Sequence, residues 1–246
     1  MAGLHAGAMR SLLWPGLFAA AAFAILISLG TWQMQRLAWK EDLLARIERR
    51  IHADPVDLPP PVEWPGLAQD DFEYMRVRVS GVFDHAREVL IFRPAGGVEK
   101  QPGYHVVTPL RIGGGDATIF VNRGFVPEAL KAAASRAPGQ VAGEKTITGL
   151  LRAPEQRSTF TPADQPQQNL WYTRDPAALA KHFGLAKAAP FSLDADATPV
   201  PGGWPKGGAT VVSVRNDHLA YAMTWYGLAA TLLAVFGLFA WRRVKA

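Results

Sequence analysis

Two long apolar runs bracket a stretch in which hydrophobic and polar positions alternate. From Leu12 to Leu29 every residue is apolar or small except Ser28, and Gly30, Thr31 and Trp32 extend the run. About 20 apolar residues cross the hydrocarbon core of a bilayer, which predicts a transmembrane helix over 12–34 behind an N-terminal tail, 1–11. Leu37, Leu44, Ile47 and Ile51 continue at helical spacing among charged residues. They predict a helical extension over 35–54, ended by Pro55 and Pro59 to Pro61. A cleaved signal peptide is the alternative, with Arg10 before the run and Ser28-Leu29-Gly30 as a cleavage site; the length of the run and its helical continuation favour a retained span. The second run, Leu219 to Trp241, carries no charge, has aromatics towards both ends and stops at Arg242, Arg243 and Lys245. Interfacial aromatics and a basic flank are what a spanning helix requires, so a second transmembrane helix is expected over 216–241, with a basic tail over 242–246.

Between the spans, in 55–215, the period is that of strands. Met75, Val77 and Val79 alternate with Arg76, Arg78 and Ser80, the pattern of a half-buried strand. Glu88 to Arg93, Tyr104 to Ile112, Ala117 to Asn122 and Thr146 to Leu151 read as further strands, with Gly113 to Asp116 as a hairpin turn. Short helices are expected at Pro127 to Ser135 and at Asp175 to Phe183, the latter capped by Asp175 with Pro176 at its first position. Thr198 to Gly208 reads as a connector, followed by a short strand, Thr210 to Val214. The short links favour an antiparallel sheet. The expected fold class is a membrane protein with two transmembrane α-helices flanking one α+β, mainly antiparallel β soluble domain.

Composition adds mostly exclusions. The chain has no cysteine, which removes disulfides, thiol redox chemistry, Cys-ligated zinc, iron–sulfur clusters, covalent c-type haem and thiolate carriage of Cu(I). The net charge of +5 does not point to nucleic acid, because the basic residues are spread and many flank the apolar ends, where lipid headgroups lie. Topology stays open on charge alone: Arg242, Arg243 and Lys245 favour a cytoplasmic C-terminus, while Arg36, Lys40, Arg46, Arg49 and Arg50 beyond the first span favour the opposite.

Candidate chemistry is sparse. No nucleophile elbow, phosphate loop or H-E-x-x-H pair is present, and Asp70, Asp71 and Glu73 beside the proline run read as a solvated acidic turn. Of the six histidines, His218 stands out because it lies in the first turns of the second span, where an ionisable group is costly and is a functional hypothesis by default. At about 100° per residue, Tyr221 and Trp225 fall close to the His218 stripe, with Leu232 and Phe236 further along it. Gly227, Ala230, Thr231 and Ala234 fall opposite and are expected to receive the first span through Ala19 to Ala22, leaving the His–Tyr–Trp stripe free. A neutral imidazole beside an aromatic wall suits a haem, but it reads equally as a headgroup anchor.

Six segments, in order, carry a resemblance: Leu29 to Lys40 (LGTWQMQRLAWK), Arg76 to Asp84 (RVRVSGVFD), Gly103 to Leu110 (GYHVVTPL), Phe120 to Pro127 (FVNRGFVP), Asn169 to Asp175 (NLWYTRD) and Trp204 to Ala229, which contains NDHLAYAMTWY. With them the chain resembles the surfeit locus protein 1 family, cytochrome oxidase assembly factors of bacteria and mitochondria, and is read as the bacterial type. The resemblance implies a multi-pass protein of the bacterial inner membrane, with the soluble domain in the periplasm and both termini cytoplasmic. It implies no enzymatic reaction and a role in haem–copper oxidase biogenesis. Haem a would be bound transiently, with His218 as axial ligand to the haem iron and Trp225 close by; Tyr221 joins them from the helical geometry. Oxidase subunit I is the implied partner, with haem a synthase as a second candidate. The competing reading is a scaffold that stabilises an oxidase intermediate without carrying haem. A membrane-tethered hydrolase has only unpatterned hydroxyls and carboxylates behind it, and a copper carrier lacks the sulfur ligands.

Overall fold

A computed structural model describes residues 2–95, 101–208 and 216–245, with side chains from residue 12 onward. Its elements, in order, are α1 (Ala2–His52), β1 (Val56–Asp57), α2 (Gln69–Phe72), β2 (Arg76–Phe83), β3 (Val89–Arg93), β4 (Gly103–Ile112), β5 (Thr118–Pro127), β6 (Glu144–Arg152), β7 (Leu170–Trp171), α3 (Pro176–Phe183), β8 (Ala188–Ala195) and α4 (His218–Lys245). The chain divides into a helical unit, 1–46 with 213–246, and a β unit, 47–212.

Both ends carry a helix long and apolar enough to cross a bilayer. In the helical unit the packed positions of α1 recur at Leu12, Gly16, Ala19, Phe23, Leu26, Gly30, Gln33 and Leu37, and those of α4 at His218, Ala222, Trp225, Ala229, Leu232 and Phe236. This alternating three- and four-residue spacing keeps one seam facing a partner helix. A Cβ placed at Gly16 would lie 3.6 Å from the Phe236 ring, and one at Gly30 only 2.6 Å from the Tyr226 ring, so the helices run antiparallel with aromatic rings seated on glycines. The expected packing face is therefore reversed. Gly227, Ala230, Thr231 and Ala234 are exposed, and nothing lies within 4 Å of a Cβ built on Gly227. The stripe of His218, Trp225, Leu232 and Phe236 forms the seam instead. Close approach here comes from large rings alternating with small residues on both helices, not from one small-residue face on α4. Thr224 and Thr231 donate to the carbonyls of Ala220 and Gly227, each at 2.9 Å, which satisfies their hydroxyls within the helix and lets them point outward.

The β unit is built on a closed barrel of five strands in the order β2-β6-β8-β5-β4, with β4 returning to β2. Facing residues are the apolar members of each alternation: Phe83 pairs with Leu110, Leu110 with Ile119, Val121 with Leu193, and Leu193 with Leu151. These side chains form one buried cluster with Val77, Val79 and Phe191. Trp64 and Phe72, from the segment before β2, enter the same cluster against Phe191, with ring centroids 5.8 and 4.9 Å away. Closure removes free edges from these five strands.

Of the six expected strands the five up to Leu151 are present, and α3 begins as its sequence requires: Asp175 Oδ1 accepts from the N–H groups of Ala177 (3.0 Å) and Ala178 (3.2 Å). The expected helix at Pro127 to Ser135 is instead two 3₁₀ turns, Glu128–Leu130 and Ala133–Gly139. The sheet is mainly antiparallel, but β5–β8, β1–β2 and β3–β7 pair parallel. Strand β8 had no local signature because Pro190 interrupts it; that proline falls within a register shift against β5, between Ala188 and Ser192, where a missing N–H breaks no ladder. The Thr198 to Gly208 connector packs against the barrel. Gly124, at φ 123°, would place a Cβ 2.0 Å from the Lys206 carbonyl oxygen, so only glycine lets Lys206 and Phe125 exchange backbone hydrogen bonds at 2.9 and 3.0 Å. The expected strand at Thr210 to Val214 lies outside the described residues.

Candidate functional site

Polar side chains within apolar helices are the first place to look for chemistry, because each must find a partner. His218 is half-buried at the start of α4, and its Nδ1 lies 2.7 Å from Oε1 of Gln33 on α1. An amide oxygen accepts and does not donate, so this contact is a hydrogen bond when Nδ1 carries the proton, and in the neutral ring that tautomer leaves Nε2 its lone pair. Among the described residues nothing bonds Nε2. Farther along the seam, the Tyr226 hydroxyl lies 3.3 Å from Thr31 Oγ1, and the Tyr226 ring occupies the space opened by Gly30. Gly30, Thr31 and Gln33 thus act together: one makes room for a ring, one meets its hydroxyl and one holds the histidine.

The sequence-predicted residues divide. Trp225 is half-buried in the seam with His218. Tyr221 sits about 60° around the helix from His218 and is 56% exposed, on the flank where the seam opens outward. The stripe is thus only partly free. The sequence reading missed Gln33 and Tyr226, although an amide inside a predicted span is itself a signal. Leu29 to Lys40 and Trp204 to Ala229 are separate segments along the chain; the structure brings Gly30, Thr31 and Gln33 of the first against Tyr226 and His218 of the second.

The other histidines with described side chains, His52, His85, His105 and His182, belong to the β unit. His105, Asn122 and Arg174, from three more of the quoted segments, converge outside the barrel interior. Arg93 Nε donates to His105 Nδ1 at 3.1 Å, Asn122 Nδ2 donates to Asp194 Oδ1 at 3.0 Å, and Arg174 Nη1 donates to the same oxygen at 3.0 Å. Arg93 also reaches Glu155 at 2.6 Å, while the Arg174 backbone N–H reaches the other Glu155 oxygen at 2.9 Å. Burial, with help from the Arg93 charge, pushes the His105 pKa down to about 4, so the ring is neutral at physiological pH. A second network holds Glu88 between Arg136, which grips both carboxylate oxygens, and Arg123 at 3.8 Å. Burial lowers the Arg123 pKa to about 10 against the pull of Glu88, with Arg136 adding to the shift. Both networks fasten surrounding segments to the barrel, and the buried Arg174 Nε in the first is left without a hydrogen-bond partner among the described residues. No group of three or more metal-ligating side chains occurs among the described residues.

The SURF1 family model matches residues 20–230, spanning the barrel and reaching into both terminal helices. The chain belongs to the SURF1 family. Similar proteins include surfeit locus protein 1 of Mus musculus, 42% identical over 220 residues covering 84% of this chain and 69% of that protein. Its human counterpart is 42% identical over 217 residues, 82% of this chain and 69% of that protein. A SURF1-like protein of Caenorhabditis elegans is 34% identical over 227 residues, 85% of this chain and 68% of its own length. The family is known in general for cytochrome oxidase assembly and is membrane-associated, which agrees with the paired apolar helices.

Proposed function

We propose that this chain is a non-catalytic assembly factor of the bacterial inner membrane that binds haem a transiently and aids its delivery to, or retention in, subunit I of a haem–copper oxidase. The observation that carries the reading is the His218–Gln33 contact: an imidazole at the start of a membrane helix whose Nδ1 faces an amide oxygen, an arrangement that in the neutral ring leaves Nε2 its lone pair. That is the donor chemistry of a haem-ligating histidine. The haem iron is cargo, and His218 Nε2 is its axial ligand. Trp225 and Tyr221 supply aromatic surface beside it, Tyr221 on the exposed flank through which a planar ligand would enter. In this reading the soluble domain is periplasmic, both termini are cytoplasmic, and subunit I and haem a synthase are the protein partners.

The test is an absorption spectrum of the detergent-purified chain from haem a-producing cells, run beside His218→Ala. A haem a spectrum lost in the variant, with membrane insertion intact, is the expected outcome. No haem in either protein, with subunit I still co-purifying, would favour a scaffold that stabilises an assembly intermediate. Haem retained in both would move the site away from His218.

A further inference from the structure

We infer that Gln33 is a positioning residue: its side-chain oxygen holds His218 as the Nδ1–H tautomer and so selects Nε2 as the ligating atom. This rests on the haem-binding reading above and deepens it, because the site then belongs to both membrane helices.

The tautomer decides whether His218 can ligate through Nε2. A neutral imidazole has one proton, and the nitrogen that carries it has no lone pair to give. In solution the proton moves between the two nitrogens; beside a fixed acceptor it does not. At 2.7 Å the Nδ1 to Oε1 separation is at the short end of the N–H···O range, and both side chains sit on the packed seam. The opposite amide orientation would donate to Nδ1, move the proton to Nε2 and remove the lone pair there.

Gln33 is also held in place. One turn earlier, Gly30 is buried under the Tyr226 ring, and Thr31 meets the Tyr226 hydroxyl at 3.3 Å. These contacts set the spacing and register of the two helices just where Gln33 must reach His218. An amide suits the position better than a carboxylate, because it accepts one hydrogen bond without burying a charge among apolar groups. Partners that accept from the second nitrogen of a ligating histidine fix its ring and raise its basicity, and removing one typically weakens binding about 10- to 100-fold.

The experiment uses the full chain in lipid nanodiscs, prepared without haem and labelled with ¹⁵N-histidine, together with Gln33→Leu, Gln33→Glu and His218→Ala. In the haem-free wild type the ¹⁵N spectrum should show the His218 proton on Nδ1 and a pyridine-type Nε2; Gln33→Leu should give a mixture of tautomers. On titration with haem a, Gln33→Leu should bind about 10-fold or more weakly. Gln33→Glu should keep the Nδ1–H tautomer and lower the haem midpoint potential, because a stronger acceptor gives the imidazole more imidazolate character. A proton found on Nε2 in the haem-free wild type would overturn the assignment of Gln33 without reference to haem. Loss of haem in His218→Ala, with wild-type affinity and potential in Gln33→Leu, would overturn it while leaving His218 as ligand. Haem retained in His218→Ala would overturn the underlying haem reading, and the tautomer measurement would still judge the Gln33 contact.

Discussion

The β unit and the helical unit bury their polar groups by different means. In the barrel, backbone groups are paired around a closed ring of strands, the interior is filled by apolar side chains from every strand, and two ionic networks fasten the surrounding segments. The helix pair satisfies its backbone within each helix. It depends on one seam in which two ring-on-glycine contacts and two polar side-chain pairs are resolved among the described residues. Water drives the barrel together, whereas lipid is as apolar as leucine and leaves helix association to packing and a few hydrogen bonds. A barrel of this kind spreads its stability over many residues. The seam concentrates it in a few, and those same few hold His218.

The contrast is most sharply broken at Glu88. Glu88→Ala leaves Arg136 and Arg123 buried with no carboxylate between them, and losing one partner of a buried pair costs about 3–5 kcal/mol. Hydrogen exchange resolved by peptide should show faster exchange through the barrel and unchanged protection in α4.

Acid should weaken the barrel next. His105 has a folded pKa of about 4 against an ordinary 6.5, so the unfolded chain takes up its proton first. The stabilisation is complete above pH 6.5 and is lost as pH falls towards 4, at about 1.4 kcal/mol per unit, or about 3 kcal/mol in total. Arg93 and Arg174 deepen the shift, while Asp194 and Glu155 oppose it. His105→Asn keeps an acceptor for Arg93 and should flatten this part of the dependence of urea midpoint on pH.

The seam is tested by Gly30→Leu, whose side chain would occupy the space of the Tyr226 ring. Overpacking of this kind costs about 1–3 kcal/mol and should part α1 from α4 around Gln33 and His218. The chain has no native cysteine, so spin labels on Leu13→Cys and Leu238→Cys report the helix separation directly. A longer or broader distance distribution, with barrel exchange unaltered, is expected. Tyr226→Phe is the mildest change, removing only the hydroxyl that meets Thr31 and keeping the ring on Gly30. About 0.6 kcal/mol is the usual worth of such a hydrogen bond between membrane helices, and the same spin-label distance should hardly move.

Much was legible along the chain because it depends on neighbours. The two spans, the alternation in Met75 to Ser80, the Asp175 cap before Pro176 and the odd histidine at the edge of the second span all follow from patterns within a few residues. His218, Tyr221 and Trp225 could be nominated from helical geometry and family resemblance, but their surroundings could not. A helical wheel shows that two faces differ without showing which is covered, and the smaller face of α4 proved to be the outer one. Strand β8 was hidden because Pro190 masks its period, and it is a strand only because β5 and β6 lie on either side of it.

The sequence by itself determined the membrane helices, the β character of the domain between them and the family, since local hydrophobic period, caps and ordered motifs carry that information. Only the tertiary structure decided that the barrel closes, that the His218 stripe is a seam and that Gln33 faces His218. Those two residues stand 185 positions apart, and the 2.7 Å between them is set by how rings and glycines on both helices fit, which no local pattern in either helix encodes.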